Sequence, residues 1–187
     1  MDTSSRCSSS SLVPTDSTRR PARPISLVGF MATGKSTVGR LLAERLELPF
    51  VDSDAEIERA FGMSVAEIFR TSGEAAFREA ENCVIARLLE GEGKVVAVGG
   101  GAFVDPETRD MLNRSARTIW LDPDFDLIAD RLARSTSRPL ASSRSPDDLR
   151  RLWEQRRPCY AEAHIRITPS DGDPRDSVEE IVRLLEL

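Results

Sequence analysis

The chain has 187 residues, 40% hydrophobic and 30% charged, with a formal net charge of −5. That length supports one α/β domain with its own core and is too short for two. The acidic balance excludes a general nucleic-acid partner, and no apolar run approaches the roughly 20 residues of a membrane span. Three scattered cysteines, Cys7, Cys83 and Cys159, form no C-x-x-C pair. They point to reduced thiols in a cytoplasm instead of a disulfide frame or a zinc site. The single histidine, His164, removes most Ser-His-Asp and poly-His metal schemes.

Residues 1–23 are rich in Ser, Thr, Pro and Arg and have little to bury. They read as a disordered extension ahead of a domain spanning 24–187. A transit peptide is the competing reading, opposed by Asp2 and Asp16. From Ile25 strand and helix alternate. Ile25–Gly29 is a short buried strand, Lys35–Leu46 an amphipathic helix and Pro49–Asp52 a second strand. Helices are expected over Ala55–Phe61, Val65–Arg70 and Glu74–Glu90, then a strand over Lys94–Val98. A helix opened by Asp105-Pro106, a strand at Thr118–Leu121 and a helix over Asp124–Arg134 follow. A polar stretch, 135–146, precedes a helix over Pro146–Ala163, a strand at Ile165–Thr168 and a last helix from Pro174. Strands separated by helices imply right-handed crossovers and a parallel sheet covered on both faces, an α/β/α sandwich.

Gly29-Phe-Met-Ala-Thr-Gly-Lys35-Ser36-Thr37 fits G-x-x-x-x-G-K-[ST], between a buried strand and an amphipathic helix. Such a loop turns backbone N–H groups of Ala32, Thr33, Gly34 and their neighbours onto phosphate oxygens, and the helix adds the positive end of its dipole. Lys35 reaches the β- and γ-phosphates of ATP, and the Ser36 hydroxyl is a ligand for Mg²⁺. Lysine occurs only at Lys35 and Lys94 in an otherwise arginine-rich chain. Position 35 therefore needs a compact ammonium in place of a planar fork.

Asp52 and Asp54 end the second strand, at the carboxyl edge where open α/β sheets bind ligands. Asp54 could serve only as a helix cap, which would leave Asp52 unexplained. The third strand runs into Gly99-Gly100-Gly101 where such folds often place a metal-binding aspartate, so Asp52 is the natural metal partner. Three glycines in a row suggest close approach of a ligand to main chain. Arg78 and Arg156 lie on predicted helices, and spacing alone does not single them out. Arg138 lies in the polar stretch, which reads as a mobile lid or as a plain surface loop.

Together these segments resemble the shikimate kinase family. GFMATGKSTVGR is similar to its phosphate loop, VDSD to its aspartate pair and GEAAFREAE to its G-E-x-x-F-R-x-x-E segment. VGGG, SRPL and RRPCY resemble its triple glycine, lid motif and R-x-P-x-Y. The resemblance covers roughly Ile25 to Leu187 and implies a P-loop kinase fold with a lid and a five-stranded sheet in the order 2-3-1-4-5. It implies Arg78 and Arg156 on the carboxylate of shikimate, Asp54 on its hydroxyls, and main-chain contact at Gly99, Gly100 and Gly101. Ser36 and Asp52 would hold Mg²⁺; Lys35, Thr37 and Arg138 would contact the ATP phosphates, and Arg134 the adenine. The implied partners are ATP and shikimate, with no nucleic acid or membrane, for a cytoplasmic monomer. The chain departs from the family at Ala32-Thr33, where Gly-Ala is frequent, and at Asp173, where an arginine is frequent. Two other readings share the phosphate loop: a kinase of another polyol acid such as gluconate, and a nucleotide-binding module without turnover.

Overall fold

The computed structural model describes residues 21–91, 93–134 and 145–187. Most of the expected extension, and most of the expected lid including Arg138, lie outside the described residues. Five strands, β1 Ile25–Val28, β2 Phe50–Asp52, β3 Val95–Ala97, β4 Arg117–Leu121 and β5 Ile165–Ile167, form one parallel sheet in the order β2-β3-β1-β4-β5. The described helices are α1 Lys35–Arg45, α2 Ser53–Phe61, α3 Val65–Leu88, α4 Pro106–Ser115, α5 Phe125–Ala133, α6 Pro146–Tyr160 and α7 Pro174–Leu185. Among them none is long and apolar enough to cross a membrane.

Both faces of the sheet are covered, which is why all four residues of β1 are buried. Ile25 and Leu27 pack with Val38 and Leu42 of α1 and with Val178 and Ile181 of α7. Val28, Val96 and Trp120 pack on the other side with Phe103, Leu112, Ile128 and Tyr160. A smaller cluster of Ile57, Ile68, Phe77 and Val84 holds α2 against α3.

Local signals set the helix boundaries. Ser64 and Glu67 form a reciprocal capping box at the start of α3. Asp105 accepts the Thr108 N–H at 2.8 Å ahead of Pro106. The two helices expected over Val65–Arg70 and Glu74–Glu90 are present as the two parts of α3, which meet at a non-helical kink at Gly73 (φ 81, ψ 172). A 3₁₀ turn, Ala102–Val104, follows the glycine run and was not expected. The lone His164 accepts the Thr118 N–H through Nδ1 at 3.1 Å, near the amino end of β4, and so serves sheet packing.

At the end of β1 the chain turns under a tight constraint. Gly29 has φ 137, and a Cβ there would lie 2.6 Å from the Leu121 carbonyl oxygen. Gly29→Ala is expected to cost about 3 kcal/mol or more through strain and overpacking. The loss reads as a lower urea midpoint at unchanged slope.

Candidate active site

The chain turns from β1 into α1 with Ala32 (φ 61) and Gly34 (φ 98) in left-handed conformations. At Ala32 this costs about 1 kcal/mol, and it explains why glycine suits that position. Buried Thr33 donates its hydroxyl to the Phe30 carbonyl at 2.9 Å, closing the turn. Lys35 Nζ donates to the carbonyls of Gly29 at 2.9 Å and Phe30 at 2.8 Å. An ammonium with three rotatable donors reaches both from one position.

Ser36 Oγ donates to Asp52 Oδ2 at 2.7 Å, while Asp52 Oδ1 accepts the Asp54 N–H at 3.1 Å. Asp52 is therefore the N-cap of α2, and the cap role considered for Asp54 belongs to it. The helix begins at Ser53, two residues earlier than expected, which places Asp54 in its first turn. A hydroxyl beside a carboxylate is a pair of hard oxygen donors, and it fits an Mg²⁺ ion that takes its other ligands from phosphate and water.

Across from this loop lies a second group of charges. Arg78 Nη1 is 2.5 Å from Glu81 Oε2, and Nη2 is 3.3 Å from Glu74 Oε1. Burial works against the Arg78 charge, but Glu81 and Glu74 outweigh it and its pKa is raised. Glu81 is 3% exposed, and burial raises its own pKa against the opposing pull of Arg78.

The glycine run fits between these groups. A Cβ at Gly99 would lie 2.6 Å from both Asp54 Oδ1 and Glu81 Oε1, and one at Gly101 would lie 2.5 Å from Arg78 Nη2. At Gly100 it would meet the Met31 backbone nitrogen at 3.3 Å. The protein's own charges and phosphate loop thus approach this run closely, and the run also lines the cleft. Buried Ser53 secures the run by accepting the Gly99 N–H at 2.9 Å.

On α6 two adjacent arginines diverge. Arg157 reaches Asp122 at 2.6 Å and stacks 4.6 Å from the Trp153 ring centre. Arg156 faces the cleft. One cleft of about 1080 Å³ is lined by Lys35, Ser36, Thr37, Asp52, Asp54, Arg78, Gly99–Gly101 and Arg156. That volume lies at the upper end for a single ligand site, and it suits two small molecules side by side.

The shikimate kinase family model matches residues 31–186. A shikimate kinase of Rhodopseudomonas palustris is 48% identical over 164 residues, covering 87% of this chain and 81% of its relative. The chain belongs to the shikimate kinase family. A second relative, from Paramagnetospirillum magneticum, is 48% identical over 168 residues, covering 89% and 85% of the two chains. The solved shikimate kinase of Acinetobacter baumannii, in complex with shikimate, superposes with a TM-score of 0.85 at 38% identity, covering 89% of this chain and 94% of that one. As a shikimate kinase family member the chain is a phosphotransferase with the P-loop kinase fold.

Within this family frame, Arg134, expected against adenine, is the exposed C-cap of α5. Arg131, one turn earlier on the same helix, lines the cleft and donates to the Ala32 carbonyl at 3.3 Å. Asp173 caps α7 by accepting the Arg175 N–H at 2.9 Å, and Arg175 is exposed. Glu81 and Tyr160 were not singled out by the sequence beyond their place in the family segments, yet they hold Arg78 and the Gly100 carbonyl.

Glu81→Ala leaves Arg78 half-buried without its closest partner. It is expected to destabilise the fold by about 2 kcal/mol, a buried-pair loss discounted for the exposure of Arg78. Thermal melts of mutant and parent check this.

Proposed function

We propose that the chain transfers the γ-phosphate of ATP to the 3-hydroxyl of shikimate, giving ADP and 3-phosphoshikimate on the route to chorismate and aromatic amino acids. The observation that carries this reading is that Asp54, Arg78 and Arg156 converge on one cleft with the phosphate loop. Arg78 and Arg156 grip the carboxylate of the acceptor, a planar bidentate task for which arginine is suited. Asp54, held against Gly99, orients the hydroxyl and takes its proton as the new P–O bond forms. The main chain of Gly99, Gly100 and Gly101 shapes the floor beneath the acceptor.

On the donor side, backbone N–H groups of residues 32–37 cradle the phosphates, with the α1 dipole behind them. Lys35, together with Arg138, neutralises charge on the transferring group. Arg134 lies against the adenine, and Arg131 supports the phosphate loop through the Ala32 carbonyl. Ser36 and Asp52 would hold Mg²⁺, which when bound draws charge off the β- and γ-phosphates. We further read the enzyme as a cytoplasmic monomer: one chain supplies the whole cleft, and the two described cysteines are free thiols.

The reading is tested by a coupled ADP assay in which shikimate and gluconate are each added to Mg-ATP. ADP release is expected to depend on shikimate; release with gluconate alone would overturn the substrate. Asp54→Asn should lower kcat by about a hundredfold or more while ATP affinity stays within about twofold. Arg78→Lys should raise KM for shikimate by about tenfold or more, because a point charge cannot reproduce a bidentate contact.

A further inference from the structure

Tyr160 is 1% exposed, with its ring 6.5 Å from Phe103 and 6.2 Å from Trp120. Phenylalanine would fill that space equally well. A buried hydroxyl carries a desolvation cost unless it is hydrogen-bonded, so its presence needs a reason. The structure supplies a partner: the hydroxyl donates to the Gly100 carbonyl, and Arg156 lies one helical turn back on the same helix, α6.

We infer that the Tyr160 hydroxyl is a positioning group that ties α6, and with it Arg156, to the Gly100 main chain and so sets the acceptor's carboxylate relative to the phosphate loop. The chain of contacts is short. Holding the Gly100 carbonyl also fixes the Gly101 N–H, which lies in the same rigid peptide plane. Gly100 in turn rests on the phosphate loop, since a Cβ there would lie 3.3 Å from Met31 N and 3.5 Å from Gly29 O. One oxygen atom therefore ties the helix carrying Arg156 to the strip of backbone between the two halves of the cleft. Arg78 is near enough to act on Tyr160 electrostatically, so both arginines act on this hydroxyl. Burial pushes the phenol up to about 12, against the pull of Arg156; the group keeps its proton and remains a donor at any working pH.

This inference rests on the reading of Arg156 as a grip on the carboxylate. The test is steady-state kinetics of Tyr160→Phe, Arg156→Lys and the double variant. Tyr160→Phe should raise KM for shikimate about fivefold, the effect of one lost buried hydrogen bond, while KM for ATP stays within about twofold. In the Arg156→Lys background the same change should add less than about twofold, because the two groups act as a unit. If Arg156→Lys leaves KM for shikimate unchanged, the grip itself is refuted. If Arg156→Lys raises that KM and Tyr160→Phe does not, only the tyrosine inference falls. A lower melting temperature with unchanged KM in Tyr160→Phe likewise overturns the positioning role. A second measurement needs no variant. Tyr160 is the only tyrosine of the chain, so protein grown on 3-fluorotyrosine gives one fluorine resonance. Saturating shikimate should shift it; an unmoved resonance overturns the coupling.

Discussion

Everything in the cleft depends on the pairing of β1 with β3. The two strands run parallel in the register Leu27↔Ala97, so the phosphate loop and the glycine run leave the same sheet edge side by side. Neighbouring strands are about 4.8 Å apart, and that spacing sets how near a phosphate donor and its acceptor can be held. Gly100 occupies the seam, close to the backbone of Met31 and Gly29. A Cβ at this position would meet Met31 N at 3.3 Å, so it fits only if the loop gives slightly. Backbone pairing is far stiffer than any side-chain contact, which makes it a suitable gauge for an in-line transfer.

Charge is then arranged around that gauge. Lys35 and Arg131 face the loop, and Arg78 and Arg156 face the glycine run, in a protein whose formal net charge is −5. The cationic field is local to the cleft and directed at anionic ligands, in contrast to the broad field of a nucleic-acid binder. Carboxylates set the aim of these cations: Glu81 and Glu74 hold Arg78, while Asp122 takes the neighbouring Arg157 away from the cleft. The contacts of Arg157 with Asp122 and the Trp120 ring turn it away from the cleft lined by Arg156.

Features written locally were legible in the sequence. The phosphate loop, the capped starts of α3 and α4, and the alternation of strand and helix each depend on residues within a few positions of one another. The sheet order and the pairing of Arg78 with Arg156 were not local; they followed from resemblance to a family. Details set by a distant neighbour were not legible. Asp52 takes the cap of α2 while also holding Ser36, which lies on another element. The glycine run is also pressed by carboxylates and a guanidinium that come from α2 and α3. The burial of Glu81 beside Arg78 likewise depends on residues far away in the chain.

The central claim is geometric: one acceptor molecule spans Arg78, Arg156 and Asp54 while its hydroxyl faces the phosphate loop. A crystal structure with ADP and shikimate tests it directly. The shikimate carboxylate is expected within hydrogen-bond distance of both arginines, with a ring hydroxyl on Asp54. Shikimate bound with its carboxylate turned away from both arginines, or outside this cleft, would contradict it.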